Sequence, residues 1–269
     1  LARQEVLDEL SALKNDCLAK LNRQVEAAGD LSPDWRSRLS AVLTAAEREL
    51  QAAAAVPKLG DVTDYALLNE LLSAGKAQLD ASFRSASDQL TAMLLSAANK
   101  DAWDGTSAKQ PSGSGTETDP YKIGTAAELS WLRDTVNANT GSTYSHHAVL
   151  TADIDLGYRP WTPIGTNKVN AYQGGFRCTL DGNGHTISGL SVTAPIEGRT
   201  GYTPTTCGYA GLFGYTSSAV IKDLTVEGEI ALTDATTVYV GGIAGSFHGT
   251  MENCVSRVHI SVALTGSYR

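Results

Sequence analysis

The sequence predicts a chain of the α + β multidomain class, a three-helix bundle followed by a β-solenoid, and three observations carry that expectation. Composition changes abruptly near position 99. Of the 26 glycines only Gly29, Gly60 and Gly75 lie before it, in a stretch full of Ala and Leu, whereas Gly, Thr, Ser, Tyr and Val dominate the rest of the chain. Apolar residues in the first third recur at steps of three and four, the period of one helix face. In the last third, two segments superimpose at a spacing of about 30 residues. The expected divisions are a bundle over 1–99, a flexible linker over 100–119 and the solenoid over 120–269.

Within the bundle, Val6, Leu10, Leu13, Cys17, Leu21 and Val25 form the stripe of a first helix that Gly29-Asp30 ends. Ser32-Pro33-Asp34 opens a second: a capping hydroxyl, a proline whose missing N–H costs nothing there, and an acid in the first turn. Trp35, Leu39, Leu43, Ala46 and Leu50 make its stripe, and Pro57 and Gly60 break it. Asp61 or Thr63 is expected to cap a third helix carrying Tyr65, Leu68, Leu72, Leu79, Phe83, Leu90 and Leu94. Two short connections imply an up-down-up arrangement. Asp8, Glu9 and Glu47 fall on the outer face, so the bundle reads as a spacer or interaction module.

Residues 104–119, DGTSAKQPSGSGTETD, lack a hydrophobic pattern and read as a flexible connection, with Trp103 anchoring on the second domain. In GTAAELSWLRDTVN (124–137), Thr125 and Glu128 have capping-box spacing, and Leu129, Leu132 and Val136 share one face. This short helix is expected to plug the open end of the solenoid, where edge strands would otherwise pair with other molecules.

The cluster GGIAG (241–245) invites a phosphate-binding reading, which needs a following helix and, for a P-loop, a Lys-Ser/Thr pair. The sequence continues SFHGTMENCVS, poor in helix formers and without that pair. Comparison with the neighbouring copy gives another reason for the glycines. With a one-residue gap, Gly211 falls on Gly242, Leu212 on Ile243, Gly214 on Gly245, Ile221 on Met251, Asp223 on Asn253, Leu224 on Cys254 and Ile230 on Ile260. TISGLSV (186–192) is expected to be a third copy, placing Gly189 with Asp223 and Asn253, and Leu190 with Leu224 and Cys254. Gly, Asp and Asn share a tolerance of the left-handed backbone region, so the column reads as a recurring corner.

GGIAGSFHGTMENCVSRVHI resembles a GLUG motif, and AGLFGYTSSAVIKDLTVEGEI resembles its AGLFG variant. YKIGTAAELSWLRDTVN, LTADIDLGYRPWTPIG and FRCTLDGNGHTISGL resemble the usual lead-in of such domains, so the likeness spans roughly 119–261. It implies a right-handed parallel β-helix from a secreted or wall-attached bacterial surface protein. Upstream, DVTDYALLNELLSAGKAQLDA (61–81) and LDELSALKND (7–16) resemble the FIVAR-like three-helix modules of Gram-positive surface proteins. GLUG-type domains also occur beside immunoglobulin-A-cleaving peptidase domains, but the chain carries no HExxH zinc motif.

The formal net charge is −8, shared evenly: 10 Lys/Arg against 14 Asp/Glu before position 100, and 11 against 15 from position 100 onward. An acidic surface without a basic stripe argues against nucleic acid and anionic membranes as partners. No apolar run approaches the roughly 18 residues of a membrane span. Cys17, Cys178, Cys207 and Cys254 have no metal-ligand spacing. Cys17, Cys178 and Cys254 read as small buried residues, and Cys178–Cys207 is the one pairing worth checking.

Candidate sites each have a plainer counterpart. Asp153 and Asp155 project on one face of a strand and read as a solvated outer face, with a Ca²⁺ site or glycosidase pair as the alternative. Asp181 and His185 sit in a Gly/Asn turn, where Asp hydrogen-bonds its own backbone. His146 and His147 lie in a polar loop without a third ligand. Tyr209 and Tyr239 are expected to stack as a structural ladder, with a sugar-stacking platform shared with Tyr202, Tyr215 or Trp161 as the alternative. The irregular stretch 193–209 is the best single place for partner-specific contacts.

No catalytic, cofactor-binding or metal-ligating residue is assigned, and no cofactor is expected. The functional expectation is a non-enzymatic, monomeric fragment of a wall-attached extracellular protein, a stalk or adhesin-like module for glycan or host-matrix ligands. The alternatives are a polysaccharide lyase or glycoside hydrolase on the same scaffold, or the non-catalytic region of a larger surface peptidase. VHISVALTGSYR shows no terminating cap, so the natural protein is expected to continue past Arg269.

Overall fold

The computed structural model describes residues 3–27, 31, 33–55, 63–98, 103–138, 146–167, 175–199, 206–235 and 238–264. The chain divides into two compact units, Leu1–Lys100 and Asp101–Arg269. The expectations on Gly29-Asp30, Ser32, Pro57, Gly60, Asp61 and Tyr202 lie outside the described residues.

The first unit is three helices, α1 (Arg3–Glu26), α2 (Pro33–Ala54) and α3 (Tyr65–Ala98), each packed on the other two. Val6, Leu10, Cys17 and Leu21 of the expected α1 stripe are buried, and its other two members, Leu13 and Val25, are half-buried. In α2 the buried set is Trp35, Leu39, Val42, Ala46 and Leu50, with Leu43 only half-buried. In α3 it is Leu68, Leu72, Leu79, Ala86, Leu90 and Met93. Tyr65, expected on that stripe, is 65% exposed because it is the first residue of the helix, while Phe83 and Leu94 lie at the edge of the buried face. The cap of α3 is Asp64, whose Oδ1 accepts the Leu67 amide at 2.9 Å, one residue past the expected Thr63.

The second unit begins earlier than its hydrophobic pattern implies. Trp103 is buried in the core, edge-on to Trp161 at 5.9 Å, and its indole N–H donates to the Ser107 carbonyl. Asp104 Oδ1 accepts the Thr106 and Ser107 amides, the Lys109 amide donates to Ala127, and Ser112 bridges antiparallel to Lys122. Residues 103–119 are therefore part of the folded unit, not a flexible linker. A segment with few apolar side chains can be ordered through its backbone and its Asp and Ser turns alone.

The strands are β1 (Tyr121–Ile123), β2 (Ala148–Leu150), β3 (Ile154–Asp155), β4 (Thr179–Asp181), β5 (Thr186–Val192), β6 (Ile196–Arg199) and β7 (Thr206–Ala210). They continue with β8 (Phe213–Tyr215), β9 (Ala219–Lys222), β10 (Thr225–Ala235), β11 (Val238–Val240), β12 (Ala244–Ser246), β13 (Gly249–Glu252) and β14 (Val255–Leu264). Helix α4 (Ala126–Ala138) follows β1. The first face is β1-β2-β4-β9-β13 and the second β14-β10-β5-β3, all parallel. The third is β8-β12, extended by the Ile164–Phe213 bridge. Each circuit of the chain visits the three faces in that order, giving a parallel β-solenoid of about four turns.

Counting the segments 148–164, 179–199, 209–230 and 239–260 as coils 1 to 4, coils 3 and 4 keep the register the repeat predicts. Ile221 pairs with Met251, Ile230 with Ile260 and Phe213 with Ala244. The one-residue gap falls between Tyr215 and Ala219, where Ser218 adopts φ 62°. The third copy does not follow the expected alignment. Ile187 pairs with Val226, and Leu190 lies beside Gly228, not beside Leu224. The corner of that coil is made by 182–185, in which Gly182 and Gly184 donate to the Lys222 and Asp223 carbonyls and Asn183 adopts φ 51°. Gly189, at φ 65°, marks a bulge where two residues of β5, Ser188 and Gly189, face one of β10, Glu227.

Inside, Ala148, Leu180 and Ile221 stack on the first face, and Ile154, Ile187 and Val226 on the second. Phe176, Cys178 and Leu180 point inward as their alternation predicts. All four cysteines are free, which removes the Cys178–Cys207 pairing. Leu129, Leu132 and Val136 of α4 join the same core as Ile123 of β1, so the helix covers the first coil as expected. Its cap differs in detail: the Glu128 amide donates to Thr125 Oγ1 at 3.3 Å, but Glu128 Oε2 accepts from Gly124 at 3.0 Å. The GGIAG glycines serve packing. A side chain at Gly245 would meet the Ala210 amide at 2.9 Å and the Tyr239 carbonyl at 2.7 Å.

Candidate functional site

Two surfaces of the solenoid concentrate its unusual side chains. The first is aromatic. β6 and β7 form an antiparallel hairpin that leaves the coil between the second and third faces, and β11 pairs parallel with β7. That register sets Tyr239 over Tyr209, and the rings stack at 5.4 Å with 17° between their planes. Tyr209 also packs on Tyr215 at 5.5 Å, and Tyr215 on His248 at 5.3 Å. Ile196, Cys207, Tyr209 and Tyr215 form a small core of their own beneath the hairpin, and burial pushes the Tyr209 phenol up. Tyr239 is 44% exposed and His248 is exposed, so the upper two rings remain open. Tyr215 is buried and Trp161 lies inside the main core, which removes both from the expected platform.

The second surface is polar and lies on the outside of the second face. Asp155 Oδ1 accepts the Gly157 amide at 2.8 Å, fixing a turn in which Gly157 and Tyr158 both take positive φ, 62° and 49°. For a bulky aromatic that conformation is strained. It places the buried Tyr158 phenol near Glu229, Asp155 and Glu227; burial first, then these carboxylates, holds its proton firmly. Ser191 Oγ reaches Glu229 at 3.4 Å, and Arg257 pairs with Glu227 at 2.7 Å. In register, Glu229 lies between Ser191 below and His259 above. Sequence reading missed this group because its members come from four successive coils, and only the corrected alignment of β5 brings them together.

The remaining candidates serve the scaffold. Asp153 Oδ1 accepts the Thr186 amide at 2.9 Å and meets His185 at 3.1 Å; both interactions hold its carboxyl below the usual range. Asp181 accepts the Asn183 amide and binds Lys222 at 2.6 Å, raising the Lys222 ammonium. Asn253 donates to Asp223 at 3.0 Å in the next corner. These residues climb one edge of the solenoid, where the first face turns into the second, each committed to a backbone amide or to the adjacent coil. His146 is buried, not in a polar loop: its amide donates to Cys178 Sγ, and desolvation lowers its imidazole. His147 Nδ1 accepts the Thr179 amide at 3.3 Å. Among the described residues no group of His, Cys, Asp or Glu is arranged to hold a metal, and no helix is long and apolar enough to cross a membrane.

No protein-family model matches the chain, and no solved structure matches it. Two curated proteins are similar over 146 residues, 52% of this chain. One, 31% identical, is described as a Gly-rich membrane protein of Evansella cellulosilytica; the other, 32% identical, is the halomucin of Haloquadratum walsbyi. The chain spans 15% of the first and 1% of the second.

Proposed function

We propose that the chain is a non-enzymatic part of an extracellular surface protein, with the solenoid serving as a rigid, projecting scaffold that binds a glycan or a host-matrix protein through its aromatic side. Under this reading the solenoid is a GLUG-type domain and the bundle a FIVAR-like spacer. The observation that carries it is the stacked Tyr209–Tyr239 pair, in which a buried ring braces a half-exposed one. A braced, half-exposed tyrosine offers apolar area without losing side-chain freedom on binding, which suits the flat faces of sugar rings. The names of the two similar proteins, a membrane protein and a halomucin, agree with a surface location. The former candidate acids support the non-enzymatic reading, since Asp153, Asp155 and Asp181 each hold a backbone amide.

The test is binding of the whole chain and of its Tyr239→Ala variant to glycan and matrix-protein arrays. Binding by the parent that is lost in the variant supports the proposal. Binding that survives the variant moves the contact elsewhere. Release of reducing ends or unsaturated uronides from polysaccharides by the purified chain would establish the enzyme alternative.

A further inference from the structure

Three polar side chains on the outer side of the second face are almost wholly buried. Tyr158, Ser191 and Glu229 are 6%, 3% and 8% exposed, whereas Asp155 is exposed and the side chains of Glu227 and Arg257, on the same side of the sheet, are 39% and 66% exposed. Ser191 serves Glu229 through its hydroxyl. The Tyr158 phenol is different. Among the described residues it makes no hydrogen bond, although Glu229, Asp155 and Glu227 all lie close enough to act on it electrostatically. A buried hydroxyl without a bond is costly, and so is a tyrosine at φ 49°. Stacking of the coils explains neither, since a phenylalanine would fill the same space without the first cost.

We propose that Tyr158, Glu229 and Asp155 form a site that takes the guanidinium group of an arginine side chain from a partner protein. None of these residues belongs to the tyrosine stack, and the site does not depend on what that stack binds. Charge sets the sign of the ligand. Three carboxylates surround the phenol, Arg257 answers Glu227, and the stem of Arg159 lies against Gly105. Spacing sets its shape. Glu227 and Glu229 stand two residues apart on β10, about 6.7 Å, and among the described residues no group of carboxylates is arranged to hold a metal. A metal ion would need its oxygens within about 2.6 Å, whereas a planar fork of five N–H donors reaches acceptors spread in this way. Two acceptors stand ready: the phenol oxygen of Tyr158, and Asp155 Oδ2, since Oδ1 holds the Gly157 amide. The neighbouring column already uses this chemistry, with Arg257 of coil 4 on Glu227 of coil 3 at 2.7 Å, while the residue over Glu229 is His259.

The test titrates the full chain with a blocked Gly-Arg-Gly peptide, followed by NMR of the β5 and β10 amides, beside the same peptide carrying Lys or uncharged citrulline and beside calcium ions. The proposal expects saturable shifts around Ser191 and Glu229 with the arginine peptide, at least about tenfold weaker affinity with lysine, and none with citrulline or calcium. Tyr158→Phe, which deletes only the hydroxyl, should weaken binding at least about tenfold while the melting temperature holds or rises; Glu229→Gln should weaken it by a similar factor. Tyr239→Ala should leave it unchanged, which separates this site from the aromatic one. No saturable shift with the arginine peptide overturns the proposal, as does equal binding of the lysine or citrulline peptide or a response to calcium. So does a Tyr158→Phe chain that binds as the parent does, or one that melts lower, which would assign the hydroxyl to the fold. Should Glu229→Gln fail to fold, Tyr158→Phe decides alone.

Discussion

The two units solve the same problem, covering apolar side chains, with contacts of opposite reach, and their glycines expose the difference. In the bundle, Gly75 lets α1 and α3 approach, and a methyl group there would meet only the end of the Leu10 side chain, 2.9 Å away, which can move. In the solenoid, Gly228 has φ 146° and lies against the Leu190 backbone, which is fixed by the ladder. Helices bury residues chosen by local period, so small changes are absorbed by side chains. Stacked coils bury residues whose neighbours are a full circuit away, and backbone meets backbone.

The largest effect should come from cutting a column. Ile221→Ala removes a side chain between Leu180 and Met251 and should cost about 2–5 kcal/mol. In denaturant it should shift the solenoid transition alone, whereas Leu10→Ala should shift only that of the bundle. Next is the glycine pair itself. Gly228→Ala combines strain with overpacking, roughly 2–4 kcal/mol, while Gly75→Ala should stay within about 1 kcal/mol of the parent because the gain in helix propensity offsets the contact. Chemical denaturation of both variants gives the contrast directly, and equal losses would erase it.

Asn253→Ala is a smaller break, about 1–2 kcal/mol, since it loses both an easy left-handed conformation and the bond to Asp223. Asn253→Gly should recover part of that loss, because glycine keeps the backbone freedom. Smallest is a pH effect confined to the solenoid. Desolvation lowers the His146 imidazole in the folded state, so the unfolded chain binds the proton more readily. The solenoid should therefore hold its full stability above the ordinary imidazole range and lose some as pH falls through about 6.5. His146→Gln should flatten that slope in thermal melts, with the bundle unaffected.

The same contrast decides what could be read from the sequence. The bundle's stripes were legible because helical period is local; of the residues that fall short of burial, Tyr65 lies at a helix end and others, such as Leu43 and Phe83, at the flank of a stripe. Coils 3 and 4 were legible because they differ by one residue, taken up at Ser218. Coil 2 was not, since two extra corner residues, the bulge at Gly189 and the β6–β7 hairpin shift its register. The tyrosine stack was found through the repeat that includes both rings. The Tyr158–Glu229–Arg257 group was missed, because a strained turn in coil 1 leaves no periodic mark.

Cross-linking along one column tests the stacking most directly. Thr186, Thr225 and Val255 occupy successive coils in register, about 4.8 Å apart from one to the next. With Cys17, Cys178, Cys207 and Cys254 replaced by Ala, the pair Thr225→Cys and Val255→Cys should oxidise to a disulfide, and the pair Thr186→Cys and Val255→Cys, about 9.6 Å apart, should not. Closure of the second pair in preference to the first would show that these segments do not lie one above another in this order.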